Sequence, residues 1–185
     1  KGQLSFLTET ASRSEGKIPR TNAEQRMEKI KTGIVGFGRM AEKQHLTAFR
    51  ESGFYEVVGV CDVTESRRQL ARTLHLRATD SLDELLSWDL ELVLIATNSS
   101  AHYGAALQAA AAGKHLFIEK PMAETAQQAE EMVAAARANN VTLMVHHNRH
   151  FGDEQLMVKA AVRDGLLGEL VYLENRKAGP RPALP

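Results

Sequence analysis

Gly33-Ile34-Val35-Gly36-Phe37-Gly38-Arg39-Met40-Ala41 carries an apolar run into two closely spaced glycines and out into a segment with helical spacing. That order predicts a buried strand, a tight turn and the first turn of a helix, the opening of a βαβ unit. The pattern Gly36-x-Gly38-x-x-Ala41 puts one glycine at the tightest point and one where backbone must approach a ligand. It puts a small residue where helix packs on strand. The ligand suited to such a turn is an anion, because main-chain N–H groups point out of a helix N-terminus and the macrodipole favours negative charge there. A dinucleotide pyrophosphate fits, although glycine-rich turns also occur in loops that bind nothing.

The surroundings strengthen the first alternative. Upstream, Ile30 to Val35 is strand-like; downstream, Ala41 to Arg50 spaces Leu46 and Phe49 as the inward face of a helix. A second apolar run, Val57-Val58-Gly59-Val60-Cys61, ends in Asp62. An acid about 20 residues or a little more past the glycines, at the end of the second strand, is where the ribose hydroxyls of NAD are held. The competing role for Asp62 is an ordinary strand-end acid or helix cap.

A chain of 185 residues accommodates one full domain with a real core and at most the beginning of a second. Lys and Arg number 23 and so do Asp and Glu, which leaves no basic field for nucleic acid or an anionic membrane surface. No apolar run approaches the roughly 20 residues that span a bilayer, Leu92 to Ala96 being the best candidate. The single cysteine, Cys61, excludes an intramolecular disulfide framework and fits a reducing compartment; the expectation is a soluble, cytoplasmic protein with Cys61 in the core.

Residues 1–26 are polar, without sustained periodicity, and are expected to be disordered or a non-native extension, with Met27 as the authentic start. From Ile30 to Val145 short apolar runs alternate with helical patterns, the signature of a parallel sheet covered on both faces. Strands are expected over Lys31 to Val35, Glu56 to Cys61, Arg77 to Thr79, Leu92 to Ala96, His115 to Glu119 and Thr142 to Val145. Helices are expected between them: Glu65 to Leu74 capped by Thr64, Leu82 to Ser87 capped by Ser81, an alanine-rich helix Ala101 to Ala112 begun by Ser99 or Ser100 and stopped by Gly113, and Thr125 to Ala138. The fold class is α/β, a doubly wound Rossmann parallel sheet over 27–150, and residues 151–185 begin an incomplete α+β domain through a linker helix and a first strand, Val171 to Arg176.

Ligands of open α/β sheets bind outside the carboxyl ends of the strands. Thr97-Asn98-Ser99-Ser100-Ala101-His102 stands at the end of the fourth strand, as either a ligand-facing loop or a plain helix cap with His102 on the surface. Glu119-Lys120-Pro121 stands at the end of the fifth. A lysine there can hold a substrate hydroxyl or tune a neighbouring acid; the alternative is a surface Glu-Lys pair before a turn. After the sixth strand come His146-His147-Asn148-Arg149-His150. On a continued strand His146, Asn148 and His150 share a face, and no nearby cysteine or paired acid completes a tetrahedral set, so no metal is expected.

These residues resemble the Gfo/Idh/MocA oxidoreductases, in which an N-terminal Rossmann domain precedes a C-terminal α/β substrate domain. The resemblance runs from about Ile30 to Leu173 and rests on Gly36-Phe37-Gly38-Arg39-Met40-Ala41, Asp62, Ala96 to His102 and, above all, Ala112-Gly113-Lys114-His115-Leu116-Phe117-Ile118-Glu119-Lys120-Pro121. It implies hydride transfer between a nicotinamide and a carbinol carbon of a small-molecule sugar, inositol or related polyol. In that frame Gly36, Phe37, Gly38, Arg39 and Met40 hold the pyrophosphate, Asp62 the adenosine ribose, and Thr97, Asn98 and His102 the nicotinamide half. Glu119 and Lys120 lie beside the nicotinamide, Lys120 also touching substrate as the one catalytic candidate, while Asn148 and Arg149 border the cleft. Asp62 favours NAD over NADP, whose 2′-phosphate it would repel; Arg67 and Arg68 keep NADP open.

The family's proton-transfer histidine belongs to the substrate domain, and its chains are commonly about twice this length. The sequence ends at Gly179-Pro180-Arg181-Pro182-Ala183-Leu184-Pro185 without that domain. The expectation is a truncated polypeptide that binds nucleotide and turns over poorly or not at all, from a protein that forms homo-oligomers through the absent sheet. Two other functions remain open from sequence: a non-catalytic nucleotide sensor, and a reductase of a non-sugar substrate such as a tetrapyrrole or imine.

Overall fold

A computed structural model describes residues 28–174. The expectations for residues 1–26, for Met27 and for residues 175–185 lie outside that range.

Six parallel strands form one sheet: β1 (Ile30–Val35), β2 (Tyr55–Cys61), β3 (Arg77–Thr79), β4 (Leu92–Ile95), β5 (His115–Ile118) and β6 (Leu143–Val145). Their order is β3-β2-β1-β4-β5-β6, the doubly wound arrangement in which the chain reverses direction of travel between β1 and β4. Strand residues alternate between two cores. Val35, Cys61, Val93, Ile95, Leu116 and Ile118 pack with α3 (Leu82–Leu86), α4 (Ser99–Ala111) and α5 (Ala126–Ala138). Ile34, Val60 and Leu94 pack on the other face with α1 (Leu46–Ser52) and α2 (Glu65–Thr73). This period of two, with both sides apolar, is what a sheet covered on both faces requires. In α4 the small residues Ala105, Ala106, Ala109 and Ala110 are buried along with His102, so the alanine run is a close-packed helix.

Three local expectations need correction. Thr64 occupies the position before α2 but its side chain makes no capping bond; the acceptor for the Thr64 N–H is Asp62 Oδ1 at 2.8 Å. The alanine-rich helix runs Ser99–Ala111, starting at one of the two expected serines, but the cap position before it belongs to Asn98. Residues 171–174 pair with no strand among the described residues, and Val171 is 91% exposed, so the strand expected over Val171 to Arg176 is not formed there. Strand geometry comes from pairing, and an apolar run without a partner does not create it.

The remaining caps follow their chemistry. Ser81 Oγ accepts the Glu84 N–H, Thr125 Oγ1 accepts the Gln128 N–H, and Gly113 ends α4 at φ 71°. After β6 a single 3₁₀ turn, Asn148–Phe151, leads into α6 (Asp153–Arg163). No described helix is long and apolar enough to cross a membrane.

Candidate nucleotide cleft

The glycine turn adopts the conformation its sequence demands. Gly36 has φ 87°, and a Cβ added to it would meet the Thr97 nitrogen at 2.7 Å and the Ala96 carbonyl carbon at 2.8 Å. Only glycine fits, both in dihedral and in space. Ala41 is fully buried where the helix leaves the turn, as a small residue at a helix-on-sheet contact should be. Gly38 differs: a Cβ there meets nothing within 4 Å. Protein packing does not require glycine at that position.

Gly38 opens onto a cleft of about 440 Å³ at the carboxyl ends of β1, β2 and β4, lined by Gly36, Gly38, Asp62, Thr97 and Asn98 among others. This is the switch point of the sheet. Asp62 spans it structurally, since its Oδ2 accepts the Phe37 N–H at 2.7 Å while its Oδ1 accepts from Thr64. The carboxylate thus ties the second strand to the glycine turn, and each oxygen keeps acceptor capacity for a further donor. Cys61, beside it, is 6% exposed, and burial pushes its thiol up to about 11.

Arginine charge near Asp62 is already committed. Arg67 donates through Nε to the Phe37 carbonyl at 2.6 Å and through Nη2 to Glu42 at 2.9 Å, with its guanidinium 5.6 Å from the Phe37 ring centre. Arg68 donates to the Asp62 carbonyl at 2.7 Å and pairs with Glu65 at 2.6 Å. Phe37 itself is fully buried, so its side chain is a packing residue and its N–H serves Asp62. Arg39 and Met40 are exposed in the first helical turn, outside the cleft lining.

At the far end, Thr97 and Asn98 line the cleft and His102 does not. His102 is 1% exposed, which removes the surface-helix alternative. Its Nδ1 lies 2.9 Å from the Pro121 carbonyl and its Nε2 lies 3.2 Å from that of Thr97, so the ring braces the β4-end loop against the β5-end turn. Lys120 is exposed on that turn, before a cis Lys120-Pro121 bond, and makes no ion pair among the described residues. Asn148 and Arg149 are exposed and outside the cleft lining. The ladder ends at Val145 as expected, and the chain then turns into a 3₁₀ helix, so His146, Asn148 and His150 do not share a strand face.

One cluster escaped the linear pattern. His45 Nε2 approaches Glu119 Oε1 at 2.6 Å, and His146 Nδ1 approaches the same oxygen at 2.8 Å. Sequence reasoning set His146 among its neighbouring histidines and Glu119 beside Lys120; it had no signal for His45, which lies 74 positions from Glu119.

A doubly wound parallel sheet with a glycine turn and a strand-end acid around a switch-point cleft defines a Rossmann nucleotide-binding protein. Residues 30–147 match the family model described as the oxidoreductase family, NAD-binding Rossmann fold, and the chain belongs to this Gfo/Idh/MocA family. It is 30% identical over 165 residues to the oxidoreductase YhhX of Escherichia coli, covering 84% of this chain and 48% of that one. With D-glucoside 3-dehydrogenase of the same organism it shares 30% over 159 residues, covering 84% and 45%. Among solved structures it superposes on the WlbA dehydrogenase of Bordetella pertussis, in complex with NADH and UDP-GlcNAcA, with TM-score 0.73 and 32% identity, covering 76% of this chain and 44% of that one. The chain therefore spans less than half the length of each of these relatives.

Proposed function

We propose that the protein is an NAD-dependent dehydrogenase that moves a hydride between the nicotinamide and a carbinol or carbonyl carbon of a sugar, inositol or related polyol. The observation that carries this reading is the cleft itself: Gly38, free of any protein contact at its Cβ position, faces Asp62 across the switch point. Two relatives support the substrate class, one named for a D-glucoside and one solved with a nucleotide sugar.

The bound nicotinamide supplies or accepts the hydride. The first helical turn after Gly38 holds the pyrophosphate through N–H groups that lack intrahelical acceptors. Asp62 receives the ribose hydroxyls, and Thr97 and Asn98 border the nicotinamide half. Lys120, a compact cation with three donors, orients a substrate hydroxyl. The preference for NAD rests on Asp62 together with Arg67 and Arg68, whose charges are matched by Glu42 and Glu65 and are not free for a 2′-phosphate.

Calorimetric titration with NAD(H) and then NADP(H) tests this reading. Binding of NADH with weaker binding of NADPH is expected; a folded chain that binds neither would overturn it.

A further inference from the structure

Glu119 directly follows β5, one residue before Lys120, yet its carboxylate is outside the cleft lining. It is 7% exposed and is shared by two imidazoles. Its Oε2 accepts the Lys120 N–H at 3.1 Å. Hydrogen bonds from His45 and His146 outweigh burial and keep the carboxyl below its ordinary range, so it is an anion that only accepts. Both ring nitrogens facing it therefore donate.

The two donors come from distant elements. His45 closes a π-helical turn, Ala41–His45, in which the Leu46 N–H reaches back five residues to the Ala41 carbonyl; this turn follows directly from the glycine turn. His146 follows β6, its own N–H bonded to the Ile118 carbonyl at 2.8 Å. Phe117 stands edge-on to both rings, at 5.8 Å from His45 and 5.3 Å from His146. π-Helical turns are frequent at functional sites, and this one ends on His45.

We propose that His45 and His146 are positioning residues: by sharing the Glu119 carboxylate they clamp the turn that presents Lys120 and tie it to the helix that starts at the glycine turn. The two halves of the cleft are thereby coupled through a buried hydrogen-bond network. The coupling to nucleotide rests on the dehydrogenase reading; the clamp on Lys120 does not. A cation held by the same three side chains is disfavoured by the geometry. Donor pairs at 2.6 and 2.8 Å are spaced for a shared proton, and no described buried side-chain polar atom lacks a partner.

The test uses the full chain and the variants His146→Ala, His146→Asn and His45→Gln. The amide nitrogens of Asn and Gln take the places of Nδ1 and Nε2 and donate the same bonds without restoring the ring. Without nucleotide, amide hydrogen exchange at Lys120 should rise about tenfold in His146→Ala, the loss of one hydrogen bond, and return to near wild type in His146→Asn and His45→Gln. No rise at Lys120, or a rise that Asn does not reverse, overturns the clamp. With nucleotide, His146→Ala should weaken NADH about tenfold by the same loss while leaving ADP-ribose, which lacks the nicotinamide, within about twofold. Equal loss for both ligands overturns the coupling. Failure of wild type to bind either ligand removes the dehydrogenase reading, and Lys120 exchange still decides the clamp. Tight zinc binding that raises the melting temperature of wild type and not of His146→Asn would make the cluster a metal site and overturn the proposal.

Discussion

His45 and Glu119, 74 positions apart, meet at 2.6 Å beneath the carboxyl edge of the sheet, so the helix leaving the glycine turn is bonded to the residue before Lys120. Burial holds the His45 imidazole below its ordinary value of 6.5, and the hydrogen bond from His45 joins that from His146 in holding the Glu119 carboxyl below its own ordinary value of 4.5. Both shifts act in one direction on stability.

As pH falls through 6.5, the unfolded chain protonates His45 while the folded chain does not, so the unfolded state binds more protons and stability drops. Near 4.5 the same holds for Glu119, whose contribution is present above its unfolded value and lost as pH falls toward the folded one. Urea midpoints should therefore decline continuously from pH 7 to pH 4. In His45→Gln the decline around pH 6.5 should shrink; an unchanged profile would show that His45 is protonated equally in both states.

Gly36 and Gly38 should separate folding from binding. Gly36→Ala places a Cβ 2.7 Å from the Thr97 nitrogen in a left-handed conformation, which costs about 1–2 kcal/mol from the dihedral alone, before the clash. Its denaturation midpoint should fall clearly. Gly38→Ala meets no protein atom, so its stability should stay within about 0.5 kcal/mol of wild type. NADH affinity should nevertheless drop about tenfold or more, as backbone approach to the pyrophosphate is blocked. Unchanged affinity in Gly38→Ala would mean the ligand does not pass over that residue.

Asp62→Ser removes acceptors from the Phe37 and Thr64 N–H groups as well as the negative charge. A shift of preference toward NADP is expected, accompanied by a loss of about 1–3 kcal/mol for orphaned donors. Competitive titration with NADH and NADPH checks the first and urea unfolding the second. A stability loss without a change in preference would confine Asp62 to bracing the turn.

His102→Ala strips the bridge between the Thr97 and Pro121 carbonyls at a site 1% exposed. Destabilisation of about 2–3 kcal/mol is expected from removal of a buried ring and of the hydrogen bond it donates to one of the two carbonyls. Thermal unfolding of the folded variant gives the magnitude, and a change under 0.5 kcal/mol would place water in the bridge.

Cys61, with its thiol pushed to about 11, should be nearly inert in the folded chain. At pH 8 its thiolate fraction is about 200-fold below that of a free thiol near 8.5, so alkylation should be slowed by at least that factor. Reaction at the free-thiol rate would show that the cleft floor opens readily.

By itself the sequence determined the order of strands and helices, the doubly wound sheet and the glycine turn, because each rests on information within a few residues: a period of two or 3.6, a cap, a glycine. The placement of Asp62 and Lys120 just past strand ends, the edge where an open sheet binds ligands, was legible for the same reason. Tertiary structure alone decided what those side chains do next. The commitment of Arg67 to Glu42, the burial of His102 and the meeting of His45, Glu119 and His146 depend on how helices lie across the sheet. Spacing along the chain carries no distance between residues brought together by packing. The apolar residues 171–173 mark the converse limit, since an apolar run makes a strand only where another strand stands beside it to take its hydrogen bonds.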